Sequence, residues 1–124
     1  MVLELKCPFC LSDVANDISS VPYLEATSDG RLKLAEEHTY GYFYQIQLQM
    51  LCTNTKFADF FVWSPRVDDG VYHLERVRRN ATVCETIIRG SLKFFFESVI
   101  PELFGRYYSN KNSETKENAV VNNV

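Results

Sequence analysis

The first ten residues, MVLELKCPFC, constrain the fold of this chain more than any other segment. Residues 2–6 are predicted to form a buried strand, in which Glu4 and Lys6 stand two residues apart. In a strand, residues i and i+2 project from the same face, so a carboxylate and an ammonium are expected side by side. Burying such a pair is costly unless its members pair with each other or bind a ligand.

This Glu-x-Lys spacing has two explanations. It suits metal-dependent cleavage of phosphodiesters, because the carboxylate holds a divalent cation while the lysine steadies the attacking water or the charge on the phosphate. The spacing is also frequent by chance, and on frequency alone an ordinary ion pair on the strand is the commoner explanation. The surrounding sequence favours the first.

Five blocks carry a family resemblance. They are LELKCPF at residues 3–9, DGRLKL at 29–34, His38, YFYQIQLQM at 42–50 and ADFFVW at 58–63. In this order and at these separations they resemble the lambda-type phage exonucleases and YqaJ-like viral recombinases, within the PD-(D/E)xK nucleases. The resemblance spans about residues 2 to 104. It implies an α/β fold with a restriction-endonuclease-like core, a small mixed sheet flanked by helices, incomplete at the N-terminus.

The resemblance also assigns roles to single residues. It implies hydrolysis of DNA phosphodiesters with Mg²⁺ or Mn²⁺, exonucleolytic as in the phage recombination enzymes. Glu4 would ligate the metal together with the backbone carbonyl of Leu5, and Lys6 would position or activate the water. Gln45 would orient the water and phosphate, which an amide can do because it donates and accepts hydrogen bonds without titrating. We therefore expect Gln45 to face Glu4 and Lys6 from a helix.

One element of the family pattern has no counterpart in this chain. The family carries a metal-binding aspartate on the strand before the Glu-x-Lys strand, whereas only Met1, Val2 and Leu3 precede Glu4 here. Residues 1–108 are therefore expected to form a partial exonuclease domain, either a fragment or an inactive remnant. A non-catalytic nucleic-acid-binding or assembly remnant is the leading alternative function. A thiol oxidoreductase that uses Cys7 and Cys10 is the third.

Charge gives limited guidance on partners. The net charge is −3, so the chain is not a globally basic nucleic-acid binder. Arg76 and Arg78, with Arg31 and Lys33 on a second segment, are the candidate contacts to DNA phosphate, although a solvated strand edge is the commoner explanation for the first two. DNA is the expected partner. Family members form trimers, so a homo-oligomer stays open.

Four cysteines, Cys7, Cys10, Cys52 and Cys84, raise the thiol alternative. Cys7-Pro-Phe-Cys10 after a strand looks like a glutaredoxin dithiol, in which a helix N-terminus lowers the pKa of the first thiol. That fold needs a cis-proline opposite the dithiol, and neither Pro22 nor Pro65 lies in a suitable context. Zinc is poorly supported because Cys52 and Cys84 form no second close pair. We expect the thiols to be reduced and mostly buried.

Composition indicates one globular domain. Hydrophobic residues make up 46% of the 124, well above the level of a disordered chain. No apolar run approaches about 18 residues, so no membrane span is expected. Nor does the N-terminus have the basic region of a signal peptide. An intracellular protein is the resulting expectation.

The pattern of turn and cap residues predicts the remaining elements. The expected helices cover residues 13–18, 40–52 with Thr39 as its cap, and 81–100 starting at Asn80. The expected strands are 23–27 and 31–35 in a hairpin about residues 28–30, then 57–63 and 71–77 about a turn at 67–70. Residues 109–124 are polar and are expected to form a disordered tail.

Overall fold

A computed structural model describes residues 1–106 of the chain. The strands are β1 (Val2–Lys6), β2 (Leu24–Ala26), β3 (Leu32–Leu34), β4 (Phe57–Val62) and β5 (His73–Arg78). The helices are α1 (Tyr42–Cys52), α2 (Ala81–Phe94) and α3 (Ile100–Gly105), with a π-helical turn at Phe95–Val99 and single 3₁₀ turns at Phe9–Ser12, Ile18–Ser20 and Val67–Asp69. The described residues divide into two compact units, Met1–Glu85 and the residues from Thr86 onward.

The first unit is built on a mixed three-stranded sheet in the order β1-β4-β5. β1 and β4 run parallel, with Glu4 opposite Phe60, and β4 and β5 run antiparallel, with Phe60 opposite Glu75. A parallel pair needs a crossover connection, and α1 lies in the segment that supplies it. The expected α/β class with a small mixed sheet and helices is confirmed.

Opposite faces of β1 have different environments. Along this strand Val2, Glu4 and Lys6 are partly buried, whereas Leu3 and Leu5 are 62% and 52% exposed. The prediction of a buried strand is therefore wrong for one face. Among the described residues β1 is also an edge strand, because it stands first in the order β1-β4-β5 and pairs with β4 alone.

The core of the first unit lies between α1 and the sheet. α1 contributes Phe43, Ile46 and Met50, as its helical spacing predicts, and β4 contributes Ala58, Phe60 and Val62 from alternate positions. The β2–β3 hairpin and the preceding turns close the core with Leu11, Val21, Tyr23, Leu24 and Leu34. Glu4 and Lys6 lie on this same sheet face, at the margin of the core.

The hairpin forms as expected, with shorter strands than the sequence suggested. Leu24 pairs with Leu34 and Ala26 with Leu32. The turn requires a residue with positive φ, and Gly30 supplies it with φ of +79°. Thr27 closes the turn through its backbone N–H, which donates to the Arg31 carbonyl at 2.7 Å.

The predictions for two of the helices are wrong. The helix expected at residues 13–18 does not form: the Arg66 guanidinium binds the carbonyls of Asp13, Val14 and Asn16 and holds residues 13–17 as a loop, and Ile18 begins a 3₁₀ turn. α1 starts at Tyr42 instead of residue 40, and its N-cap is Gly41 with φ of +63° instead of Thr39.

The start of α2 is predicted correctly. The Asn80 side chain accepts hydrogen bonds from the backbone N–H groups of Thr82 at 3.0 Å and Val83 at 3.2 Å, the contacts of a helix cap. The expected helix 81–100 is interrupted by the π-helical turn at Phe95–Val99. In the described part of the chain no helix is long and apolar enough to cross a membrane. The tail expected at 109–124 lies outside the described residues.

Candidate functional site

Glu4 and Lys6 form an ion pair on the α1-facing side of β1. Lys6 Nζ lies 2.6 Å from Glu4 Oε1, and the two side chains are only 13% and 19% exposed in the order Glu4, Lys6. Their proximity follows from the strand, since residues two apart share a face. Because both groups are largely withdrawn from water, the pair is less screened than a surface ion pair.

α1 completes the hydrogen bonding of this carboxylate. Gln45 Nε2 donates to Glu4 Oε1 at 3.0 Å, and Gln49 Nε2 donates to Glu4 Oε2 at 2.7 Å. The two glutamines reach the same carboxylate because residues four apart share a helix face. The expected placement of Gln45 opposite Glu4 and Lys6 is confirmed, on an edge strand of the described sheet.

Lys6 has two further partners on α1. Its Nζ lies 3.5 Å from Gln45 Oε1 and 4.0 Å from the centroid of the Tyr42 ring. An ammonium over an aromatic ring is attracted by the negative face of the ring. Tyr42 and Gln45 therefore fix the lysine head group from the helix side, while Glu4 fixes it from the strand.

These contacts set the charge state of Glu4. Burial raises its pKa, but hydrogen bonds from Lys6 and Gln49, the charge of Lys6 and the hydrogen bond from Gln45 together outweigh burial. The net result is a pKa below the usual value of 4.5. Glu4 is therefore an anionic acceptor at neutral pH, which is the form that can ligate a cation.

The donor set for a magnesium ion is incomplete in the described part of the chain. Mg²⁺ requires near-octahedral oxygen ligands and is typically held by one or two carboxylates with substrate phosphate. Among the described residues Glu4 is the only carboxylate at this site: Asp59 pairs with Arg76, and Glu75 accepts from the Leu34 backbone N–H. Within residues 1–106 no group of three or more His, Cys, Asp or Glu side chains could hold a metal. The residues present thus do not by themselves fit Mg²⁺.

Two uncharged oxygens are further candidate ligands. The Lys6 carbonyl accepts a hydrogen bond from the Trp63 backbone N–H at 2.8 Å, so the Leu5 carbonyl, one residue earlier, points away from β4. The second is Gln49 Oε1, which is buried and has no hydrogen-bond partner in residues 1–106. Carbonyl and amide oxygens are acceptable Mg²⁺ ligands, yet neither contributes the negative charge that a second carboxylate would.

The predicted phosphate-contacting cations do not gather around Glu4 and Lys6. Arg76 pairs with Asp59, which is opposite Leu3 in the register and so lies on the other face of the sheet. Arg78 is exposed two residues further along the same strand. The remaining two are on the hairpin, where Arg31 pairs with Asp29 and Lys33 with Glu25. Three of the four are thus already paired with carboxylates.

The thiols are all free, and their burial differs from the expectation. Only Cys84 is buried, Cys10 is partly exposed, and Cys7 and Cys52 are exposed. Cys7-Pro8-Phe9-Cys10 leads into a four-residue 3₁₀ turn instead of a long helix. The helix N-terminus that would lower the pKa of the first thiol in a glutaredoxin dithiol is therefore not formed here.

Two further glutamines of α1, Gln47 and Gln49, are not among the candidate site residues that the sequence indicates. Gln49 binds Glu4 directly, and its spacing of four from Gln45 was the available signal. Gln47 is fully buried: its Nε2 donates to the Arg78 carbonyl at 3.0 Å and its Oε1 accepts from the Asn80 backbone N–H at 2.8 Å. Gln47 thus connects α1 to the end of β5, a contact that no local pattern in the sequence indicates.

Comparison with known proteins adds no identification: no protein-family model, curated protein or solved structure matches the chain.

Proposed function

We propose that this chain carries the Glu-x-Lys part of a metal-dependent DNA nuclease of the lambda-type exonuclease and YqaJ-like recombinase family, on a restriction-endonuclease-like core. The observation that carries the proposal is the convergence of three side chains. Gln45 on α1 donates to the same Glu4 oxygen that Lys6 contacts, at 3.0 Å and 2.6 Å. If the Glu-x-Lys pair had arisen by chance, we would not expect it to contact Gln45, the helical glutamine to which the family resemblance assigns a role.

Each residue has a distinct role in the proposed reaction. Glu4 would provide one carboxylate ligand to a divalent cation, and the cation would stabilise negative charge on the phosphate. Lys6 would hold the attacking water or the charge on the phosphate, because its ammonium is fixed by Glu4 and Tyr42. Gln45 would orient that water, since its amide both donates to Glu4 and accepts from Lys6.

Hydrolysis in this proposal needs a second carboxylate from outside residues 1–106. With one carboxylate the cation is held weakly and out of place. Loss of a single electrostatic contact to a transition state costs about 10²- to 10³-fold in rate. The 124 residues alone are therefore expected to bind DNA without appreciable cleavage. The single carboxylate also favours the alternative function, a non-catalytic nucleic-acid-binding module.

A longer polypeptide tests the proposal. The genomic sequence in frame before Met1 is joined to the chain, and digestion of labelled linear DNA is followed in Mg²⁺. We expect digestion if that sequence supplies an aspartate, loss of digestion in Lys6→Ala, and a reduction of about 10²-fold in Gln45→Ala.

The control is Lys93→Ala, which removes an exposed lysine of α2 that pairs with Glu97, and it should leave digestion unchanged. Digestion that is indifferent to Lys6→Ala would refute the assigned site. An extended polypeptide with an upstream aspartate that binds DNA and Mg²⁺ but leaves DNA intact would favour the binding module.

A further inference from the structure

An aromatic cleft lies directly beside the Glu4–Lys6 pair. It has a volume of about 610 Å³, and its walls include Lys6, Phe9, Tyr23, Tyr40 and Tyr42. The proposed hydrolysis uses Lys6 and the Tyr42 ring that supports it, but it gives the remaining aromatic rings no task. Their arrangement indicates a ligand of specific shape.

The tyrosines form a preorganised stack. The rings of Tyr40 and Tyr42 are within 14° of parallel, with centroids 5.6 Å apart. Tyr23 is buried and meets both rings edge-on, at 6.0 Å from Tyr40 and 4.8 Å from Tyr42. Because a buried residue fixes both rings before any ligand binds, little ordering entropy is lost when a flat ligand stacks on them.

Two aromatic side chains of the cleft are largely in water. Tyr40 is 58% exposed and Phe9 is 90% exposed, although both line the same cleft. Apolar surface gains free energy when it is covered, so these rings favour a planar, apolar ligand between or against them. At its other end the cleft reaches the Lys6 ammonium, which lies 4.0 Å from the Tyr42 ring and 2.6 Å from Glu4 Oε1, so a phosphate bound there would share this ammonium with Glu4.

We propose that this cleft binds an unstacked nucleobase of the DNA strand, with the adjoining phosphate at Lys6. The inference rests on the proposed function, because it takes DNA as the substrate, and it adds that the bound base must be free of a stacked neighbour on at least one face. A base within a duplex has both faces stacked and cannot lie on Tyr40. A nucleotide combines the flat ring and the neighbouring anion that the two ends of the cleft suit.

Binding of two oligonucleotides of equal charge tests the inference without any cleavage step. One is an eight-nucleotide oligothymidylate, and the other is an eight-unit abasic strand with the same phosphates. Fluorescence anisotropy at about 50 mM salt and in EDTA should show the intact 124-residue chain binding the base-containing strand about tenfold more tightly. Phe9→Ala and Tyr40→Ala should abolish that preference, and Lys6→Ala should weaken both strands.

Tyr72→Ala is the matched control. Tyr72 is 46% exposed and its ring meets Phe61, whose partner Leu5 is on the other face of the sheet from Lys6. This variant should keep the preference. Circular dichroism checks that each variant is folded, and Phe9→Ala, the most exposed position, serves if Tyr40→Ala does not fold.

Five results would overturn the inference: equal binding of the two strands by the unaltered chain, no binding of either strand, a preference that persists in folded Phe9→Ala and Tyr40→Ala, loss of the preference in Tyr72→Ala, or a Lys6→Ala variant that binds both strands normally. None of these readouts involves hydrolysis. If the 124-residue chain prefers the base-containing strand but its extended form never cleaves DNA, the nucleobase site is supported and the nuclease function is refuted. If the extended form cleaves DNA but the chain binds the two strands equally, the nuclease function is supported and the nucleobase site is refuted.

Discussion

Gln45 Nε2 on α1 donates a 3.0 Å hydrogen bond to Glu4 Oε1 on β1, joining residues that are 41 positions apart in the chain. Lys6 contacts the same oxygen at 2.6 Å. One carboxylate oxygen thus receives a strand ammonium and a helix amide. The proposed function depends on this convergence, since it distinguishes the site from an isolated ion pair on a strand.

Removal of the ammonium should destabilise the first unit. Lys6→Met keeps an unbranched side chain of similar length beside Tyr42 but leaves the mostly buried Glu4 without its counter-charge. We expect the free energy of unfolding, measured with urea, to fall by about 1–3 kcal/mol. Lys33→Met is the matched control, because its partner Glu25 is half exposed and such pairs contribute little. Equal loss in both variants would contradict a special role for the Glu4 environment.

The low pKa of Glu4 gives a defined pH dependence. Its folded-state pKa lies below the usual 4.5, so its ionised form stabilises the fold above that pH, and the contribution disappears as the pH falls through the lowered value. The difference in unfolding free energy between wild type and Glu4→Gln should therefore be constant near neutrality and shrink below about pH 4.5. Other carboxylates titrate in both proteins and cancel. A difference that grows on acidification would contradict this assignment.

The buried amide of Gln47 should contribute to the free energy of unfolding of the first unit. Gln47→Leu fills a similar volume but leaves the Arg78 carbonyl and the Asn80 N–H without their partner. We expect a loss of about 1–3 kcal/mol in urea unfolding. Gln45→Leu, at an exposed position of the same helix, is the comparison and should cost less. A larger loss in Gln45→Leu would show that the buried contact is not the stronger one.

Local patterns in the sequence are sufficient for the strands, the hairpin and the Asn80 cap. β1 and the Gly30 turn depend on residues within a few positions of each other. The failures arise where distant residues override local preference. Arg66, about fifty positions away, holds residues 13–16 as a loop, and Gly41 with a left-handed backbone replaces Thr39 as the cap of α1.

The candidate site is predictable from the sequence only in part. Glu4 and Lys6 follow from strand spacing, and Gln45 follows from the family resemblance. Gln49 is not among the predicted site residues, because helix spacing gives its face but not its distance from β1. Arg31, Lys33 and Arg76 are candidates from charge alone, and their carboxylate partners become visible only in the three-dimensional arrangement.

The thiol hypothesis leads to a separate expectation. Cys7→Ser and Cys10→Ser should leave any cleavage by the extended polypeptide nearly unchanged, because thiols have no role in metal-assisted hydrolysis. The unaltered chain should reduce insulin disulfides no faster than free dithiothreitol does. Efficient disulfide reduction that is lost in both variants would indicate an oxidoreductase instead of a nuclease.

A variant of Gln49 tests whether Glu4 and Lys6 need one further carboxylate. Gln49 Nε2 lies 2.7 Å from Glu4 Oε2, so Gln49→Glu places a second carboxylate next to the first. Isothermal titration should show that this variant binds Mn²⁺ about tenfold or more tightly than wild type, with Gln49→Leu as the uncharged control.

The most direct measurement is digestion of linear DNA by these same chains while Mg²⁺ or Mn²⁺ is titrated. We expect the unaltered 124 residues to leave the DNA intact, Gln49→Glu with Mn²⁺ to cleave it, and addition of Lys6→Ala to Gln49→Glu to abolish cleavage. Robust digestion by the unaltered chain would show that other groups hold the metal. A Gln49→Glu chain that binds Mn²⁺ and DNA yet cleaves nothing would contradict the nuclease assignment.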